Sequence, residues 1–261
     1  MRRMIVSAGL GLALLGGTAS LAQRGGGSGL SAAAIETGLK EPGRPAAAVA
    51  LDATRKPAQV LAFLGLRRGM AAADFITGTG YWAEVMARAV GEKGTVEAFQ
   101  PEQFYNDPAG KFALDALQAR NPNVTLTRYP FEALTAGEKR FDFAIINDSY
   151  HDLYWQSERF KIPRADPSVF VKALFAAMKP GGIVGVIDHA ANPGGDTRGV
   201  VNKLHRIDPA TVKADFEAAG FKLVATSDML ARPEDDHTKL IFDPAVRGKT
   251  DRFLFRFVKP R

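Results

Sequence analysis

Apolar and polar positions change period repeatedly along this chain. From residue 72 onward, short apolar runs of strand length alternate with longer stretches of helical spacing. Residues 72–77 read as a strand, Tyr81–Val90 as a helix stopped by Gly91, and 95–100 as a second strand. A helix over about 111–120 ends before Asn121-Pro122, and Val124–Tyr129 is the third strand. Phe141–Asn147 reads FDFAIIN, nearly all apolar, as expected of a parallel strand covered on both faces. Asp166-Pro167 opens a helix through Met178, Lys179-Pro180-Gly181-Gly182 ends it, and 183–188 is the fifth strand. Asp208-Pro209 places an N-cap and a first-turn proline at the head of a helix that closes at Gly220. Lys222–Ser227 and Arg252–Val258 are the last strands; residues 228–251 between them carry no helical pattern, which predicts an antiparallel pair. The alternation predicts an α/β fold with a mostly parallel seven-stranded sheet, right-handed crossovers and helices on both faces. Upstream, 46–54 reads as helix, and Pro57 restarts a helix that continues over 58–64.

The first residues follow a different pattern. Arg2 and Arg3 precede an apolar run over 5–17, and Ser20-Leu21-Ala22 supplies a small-x-small site. This is the three-part layout of a secretory signal, too short to span a bilayer comfortably. Residues 1–22 are therefore read as a signal peptide, 23–45 as a flexible linker opening with the Gly/Ser stretch QRGGGSGLS, and 46–261 as a single domain. The expected location is outside the cytoplasm, in the periplasm. The absence of cysteine excludes disulfides, a thiolate nucleophile and a lipidated cysteine. The net charge of +6 falls to +4 without Arg2 and Arg3. The basic residues are scattered among acids, with no block suited to nucleic acid. No segment after the leader is long and apolar enough to span a membrane.

The turn between the first strand and helix carries the first candidate chemistry. Gly78 and Gly80 allow a tight strand-to-helix turn that presents backbone N–H groups to a ligand. Gly78-x-Gly80-x-x-Ala83 fits the dinucleotide fingerprint of an oxidoreductase. Asp74-x-x-x-Gly78-x-Gly80 also resembles the first motif of class I S-adenosylmethionine-dependent methyltransferases, E/D-x-G-x-G-x-G. Three features favour this second resemblance. Asp74 lies inside the strand, Lys179-Pro180-Gly181-Gly182 precedes the fifth strand, and the sheet ends in a strand pair. The resemblance covers roughly 70–258 and is nearest to a group of bacterial methyltransferases predicted from sequence. Its shared signature lies in Tyr150-His151-Asp152, Asp188-His189, His205-Arg206-Ile207-Asp208, Asp235-Asp236-His237 and Gly248-Lys249-Thr250-Asp251.

This resemblance implies a Rossmann-like methyltransferase fold, S-adenosyl-L-methionine as cofactor and a small-molecule acceptor. It also implies cofactor contacts from Asp74, Thr77, Gly78, Gly80, Tyr81, Gln100 and Asp148. The chain departs from the pattern where Ile76 replaces the first glycine, where Gln100 replaces the acid that holds ribose hydroxyls, and where Tyr129-Pro130-Phe131 lacks the usual Asp. Asn147-Asp148-Ser149-Tyr150 sits where amino-methyltransferases carry N/D-P-P-Y/F, matching at Asn147 and Tyr150.

Each of the four histidines has an Asp nearby. His151 and His189 fall at the carboxyl ends of strands, where open α/β sheets bind ligands. Histidine titrates near neutral pH and suits general-base work. His151 is the leading candidate base, then His189, with Asp148 and Asp188 as orienters and Tyr150 beside them. Tyr154 and Trp155 read as a lid or acceptor wall. His205 and His237 read equally well as structural. Two further readings stay open: a methyltransferase-like fold repurposed as a periplasmic ligand-binding protein, or a metal-dependent one using His151 and His189 as N/O ligands. Among these expectations, cleavage after Ala22 leaves Gln23 as the first residue of the exported protein, and its intact mass checks this.

Overall fold

The computed structural model describes residues 29–105 and 108–261; the signal-peptide reading lies outside the described residues. Among the described residues, four helices precede the sheet: α1 (Ala32–Leu39), α2 (Ala46–Ala50), α3 (Asp52–Arg55) and α4 (Pro57–Leu64). Then follow β1 (Ala71–Phe75), α5 (Tyr81–Val90), β2 (Thr95–Pro101), α6 (Pro108–Arg120), β3 (Val124–Tyr129) and β4 (Phe141–Asn147). The chain closes with α7 (Pro167–Ala177), β5 (Met178–His189), α8 (Thr197–Leu204), α9 (Pro209–Ala218), β6 (Lys222–Ser227) and β7 (Arg252–Val258).

The seven strands form one sheet in the order β3-β2-β1-β4-β5-β7-β6. β1 to β5 are parallel, and β7 runs antiparallel between β5 and β6. The expected terminal pair is therefore present, joined by the long 228–251 segment. β4 shows why its sequence is almost wholly apolar. Ala144 and Ile146 face the core shared with Phe170 and Leu174 of α7 and Phe216 of α9. Phe143 and Ile145 face the opposite core, with Ile35 of α1, Leu61 of α4 and Val85 of α5. Strand order reverses between β1 and β4, which opens a crevice beyond their carboxyl ends.

Three local expectations are corrected. The described part of the expected linker holds α1: Ser31 Oγ accepts from the Ala34 N–H at 3.2 Å, and Ile35 and Leu39, four residues apart, are buried against α4 and α5. Two apolar residues on one face suffice to dock it. The expected helix over 46–54 is two short ones, α2 and α3. A helix read as loop, α8, is capped by Asp196, whose carboxyl accepts from the Arg198 and Gly199 N–H groups. Among the described residues, no helix is long and apolar enough to cross a membrane.

The 228–251 segment is fastened by a buried ion pair. Arg206 is fully buried, and its guanidinium donates to both oxygens of Asp235 at 2.8 and 3.0 Å and to the carbonyls of Ala190 and Lys239. Asp235 also accepts the Asp251 N–H at 2.7 Å. Removing one partner leaves a buried charge alone, so Asp235→Ala should cost about 3–5 kcal/mol. Lys213→Ala, which breaks the exposed pair with Glu217, should cost no more than about 1 kcal/mol. Urea unfolding of the two variants checks the contrast.

Candidate active site

The turn from β1 into α5 is held from below. Asp74, almost fully buried, accepts from Thr77 Oγ1 at 2.6 Å and from the Ala83 N–H at 3.0 Å. Ile76, Gly78 and Gly80 all have left-handed backbone, with φ of 57°, 61° and 83°. For the β-branched Ile76 this conformation is strained. Three amides of the turn are used inside the protein: Thr77 N–H donates to Phe99 O, Gly78 N–H to Gln100 Oε1 and Gly80 N–H to Thr77 O, each at 3.0 Å. A diphosphate is held by such N–H groups, and these three are not offered to one.

The two glycines have different tasks. A Cβ on Gly78 meets nothing within 4 Å, because it faces the crevice. A Cβ on Gly80 would stand 2.4 Å from Leu117 Cδ2. Gly80 therefore serves packing against α6 and does not line the crevice, which corrects its expected role as a ligand contact.

A cavity of about 830 Å³ lies beyond the strand ends. Of the expected site residues, Asp74, Thr77, Gly78, Tyr81, Gln100, Asp148, His151 and His189 line it. Asp188 and Tyr150 do not. Tyr150 is fully buried and its hydroxyl donates to Asp215 Oδ2 at 2.7 Å, alongside Tyr154, which donates to the same oxygen at 2.6 Å. Burial against Phe216 turns Tyr150 into an anchor of α9 and corrects its catalytic assignment. Trp155 does line the cavity, as expected of an acceptor wall.

Unpartnered polar atoms gather here. Asn147 Oδ1, Asp148 Oδ1, Ser149 Oγ and Trp82 Nε1 are buried without a hydrogen-bond partner, and all four residues line the cavity. Buried polar groups of this kind are uncommon and mark a place where a ligand completes the bonding. Burial pushes Asp148 up, but His189, Arg252 and Arg55 and the Asn147 side chain together hold it below the ordinary carboxylate range. Arg252 Nη1 stands 3.6 Å from Asp148 Oδ2. Arg55 enters the cavity from α3 and lies 4.5 Å over the Tyr81 ring.

The histidines split into two states. Asp188, with no exposed surface, accepts the backbone N–H of His151 at 2.8 Å and of His189 at 2.8 Å. His151 Nδ1 stands 2.7 Å from its other contact, Asp188 Oδ1. Burial alone would lower His151, but Asp188, Asp152 and Asp148 around it raise it to about 9. His151 thus holds a proton at neutral pH, which argues against its use as a base. His189 is lowered by burial, and its Nδ1 lies 2.8 Å from Thr250 Oγ1.

Sequence reasoning missed Arg55, gave Trp82 and Asp152 no site role, and left His205 open between site and structure. His205 caps α8, joins the cavity, and packs against Trp155 and Phe242 at ring distances of 4.9 and 5.3 Å. His237, treated like it from sequence, instead bonds Asp251 at 3.0 Å in the loop. The signal for His205 was the missed α8, which carries it to the rim.

No family model matches this chain, and no curated protein sequence matches it. Solved structures do match its fold. A SAM-dependent methyltransferase from Aquifex aeolicus superposes at a TM-score of 0.57 with 18% identity, over 88% of this chain and 99% of that one. The [4+2]-cyclase SpnF gives 0.54 at 18% identity, over 89% and 86%. The 1,6-didemethyltoxoflavin-N1-methyltransferase of Burkholderia thailandensis, with bound 1,6-didemethyltoxoflavin and S-adenosylhomocysteine, gives 0.50 at 15% identity, over 88% and 79%. The chain has the Rossmann-like methyltransferase fold. At these identities the likeness is one of fold, and a cyclase among the neighbours shows that the fold does not dictate the reaction.

Asp74 gives a test of the turn. Burial raises its carboxyl from 3.8 to about 7, with the Thr77 and Ala83 bonds opposing only in part. Between those values the unfolded chain releases its proton while the folded one keeps it. Stability should therefore fall as pH rises from about 4 to about 7 and level off above. Asp74→Asn should flatten that slope in thermal melts; a slope equal to wild type would show that Asp74 does not cause it.

Proposed function

We propose that this chain is a class I S-adenosylmethionine-dependent methyltransferase that acts on a small, largely apolar acceptor. The observation behind this reading is the two-ended cavity at the β1/β4 crevice. One end is polar, with Arg55, Thr77, Gly78, Gln100 and the unpartnered atoms of Asn147 and Ser149. The other is walled by Trp155, Phe160, Leu240 and Phe242. Its volume of about 830 Å³ falls in the upper part of the small-molecule range.

S-adenosylmethionine supplies a methyl group on a positively charged sulfur. The residues present fit it. Arg55 offers a cation to its carboxylate, and Asp148, held ionised, offers a charge to its ammonium. Gln100 and Phe104 line the end beyond β2, on the side of the nucleoside. Gln100 Oε1 is already engaged by Gly78 and one amide hydrogen by the Phe104 carbonyl, so one N–H is left to serve the ribose. Charge-assisted bonds are roughly twice as strong as neutral ones, so this end holds its ligand through the amino-acid part more than through the sugar.

His189 takes the role of base. With its Nδ1–H donated to Thr250 Oγ1, Nε2 is left to accept a proton from an acceptor O–H or N–H. The nearby Asp148 carboxyl, 3.9 Å away, stabilises the imidazolium so formed. The aromatic end orients the acceptor and excludes water. We also propose that the chain acts after export, with residues 1–22 as its signal. The alternative, a repurposed periplasmic binding protein on this fold, finds support in Ile76 and Gln100.

Calorimetry of the mature protein with S-adenosylmethionine should show one site. Arg55→Ala should weaken it by about 10- to 100-fold, as expected for a hydrogen bond to a charged group. His189→Gln should keep the binding and lower transfer by about 10²- to 10⁴-fold. No heat and no thermal shift at millimolar ligand would sink the reading.

A further inference from the structure

Three side chains at the apolar end of the cavity have no part in the proposed transfer. His151 and Asp152 come from the 3-10 turn Tyr150–Tyr154, and His205 from the C-cap of α8. His151 Nε2 stands 3.4 Å from Asp152 Oδ1, and His205 Nδ1 stands 3.8 Å from the same oxygen. The three ligand atoms all lie within 4.8 Å of one another. With bonds of about 2.0–2.1 Å, two ligands of a tetrahedral zinc ion stand about 3.3 Å apart. The carboxylate contacts are already at or near that spacing, and His205 needs only a small movement.

A second observation comes from behind the cluster. Asp188 accepts from His151 Nδ1 at 2.7 Å, which fixes one proton there and turns Nε2 towards Asp152. In the metal-free protein a second proton on Nε2 faces the Asp152 carboxylate, and a bound cation would take the place of that proton. A carboxylate holding the far nitrogen of a histidine is also the usual outer support of a metal-bound imidazole. Asp188 is itself rigid, since it accepts two backbone N–H groups and has no exposed surface. His205 is oriented by Trp155 and Phe242.

We propose that His151 Nε2, Asp152 Oδ1 and His205 Nδ1 bind one divalent transition-metal ion. Two imidazoles and one carboxylate suit zinc, iron(II), nickel or copper better than calcium or magnesium. Three protein ligands leave a position open to the cavity, which is the arrangement of a reactive site and not of a structural one. The set differs from the sequence expectation of His151 with His189, because Asp152 and His205 are the groups that stand with His151 within ligand reach. An ion here would face the acceptor and bind an oxygen, nitrogen or sulfur donor on it. Metal binding does not depend on the cofactor reading, and either can fail without the other.

The test uses full mature protein stripped with a chelator, without S-adenosylmethionine. Zinc titration by calorimetry should give one ion per chain, and cobalt(II) should give a visible spectrum that zinc displaces. His205→Ala, at a partly exposed cap, should weaken binding at least about tenfold, and Asp188→Asn by about 10- to 100-fold as an outer support. Melting curves confirm that each variant is folded. His237→Ala should bind as wild type does, since His237 pairs with Asp251 outside the cavity. No stoichiometric uptake by wild type, equal affinity in His205→Ala, or loss of binding in His237→Ala would each overturn the proposal.

Discussion

The site depends on one buried carboxyl group. Asp188 ends β5 with no contact with solvent, and three N–H groups converge on it. Two are backbone donors, which fix the path of the chain after β4 and after β5. The third orients the His151 ring. Burying such a group is costly unless it is fully bonded, and full bonding allows a single arrangement of its neighbours. His151 and His189 inherit their geometry from it. The histidines can then differ although they share a wall. His151 faces three carboxyl groups and is raised, whereas burial dominates at His189 and lowers it.

The sheet was legible because each strand obeys a simple burial rule. β4 is covered on both faces, so it reads as an unbroken apolar run, and β3, β6 and β7 matched in full. Capping by Asp208 with Pro209 marked α9 just as clearly. What escaped was held by long-range contacts. α1 lies in a stretch whose Gly/Ser opening outweighs two apolar residues, and its stability comes from packing on α4 and α5. α8 is short and its face is completed by the loop that Arg206 and Asp235 secure. Missing α8 left the place of His205 on the rim open.

The site residues divide by the same rule. Those whose role follows from position in a strand, such as Asp74, Asp148, His151 and His189, reach the cavity. Those whose role depends on side-chain direction do not follow from sequence. Tyr150 differs from His151 by one position, yet its ring points into the core and its hydroxyl reaches α9. Gly80 looks like a ligand contact, yet its missing side chain makes room for Leu117. Spacing identifies a turn, but it does not say which side of the turn faces the ligand.

Ile76 shows what the turn has kept and what it has given up. Its φ of 57° is a conformation glycine adopts freely and a β-branched residue resists. Strain of this kind amounts to about 1–3 kcal/mol and persists only where surroundings enforce it. Here the enforcement is visible: Asp74 holds Thr77 and Ala83, and Gln100 holds Gly78. In return, the Ile76 side chain is buried in the core with Phe75 and Phe99. The turn thus keeps the backbone shape of a nucleotide site while its amides are satisfied internally. A ligand at this end must be held by side chains, namely Arg55, Asp148 and the unpartnered groups of Asn147 and Ser149. With the Thr77, Gly78 and Gly80 amides engaged, the charged wall of the cavity is what is left at this end to hold a charged ligand.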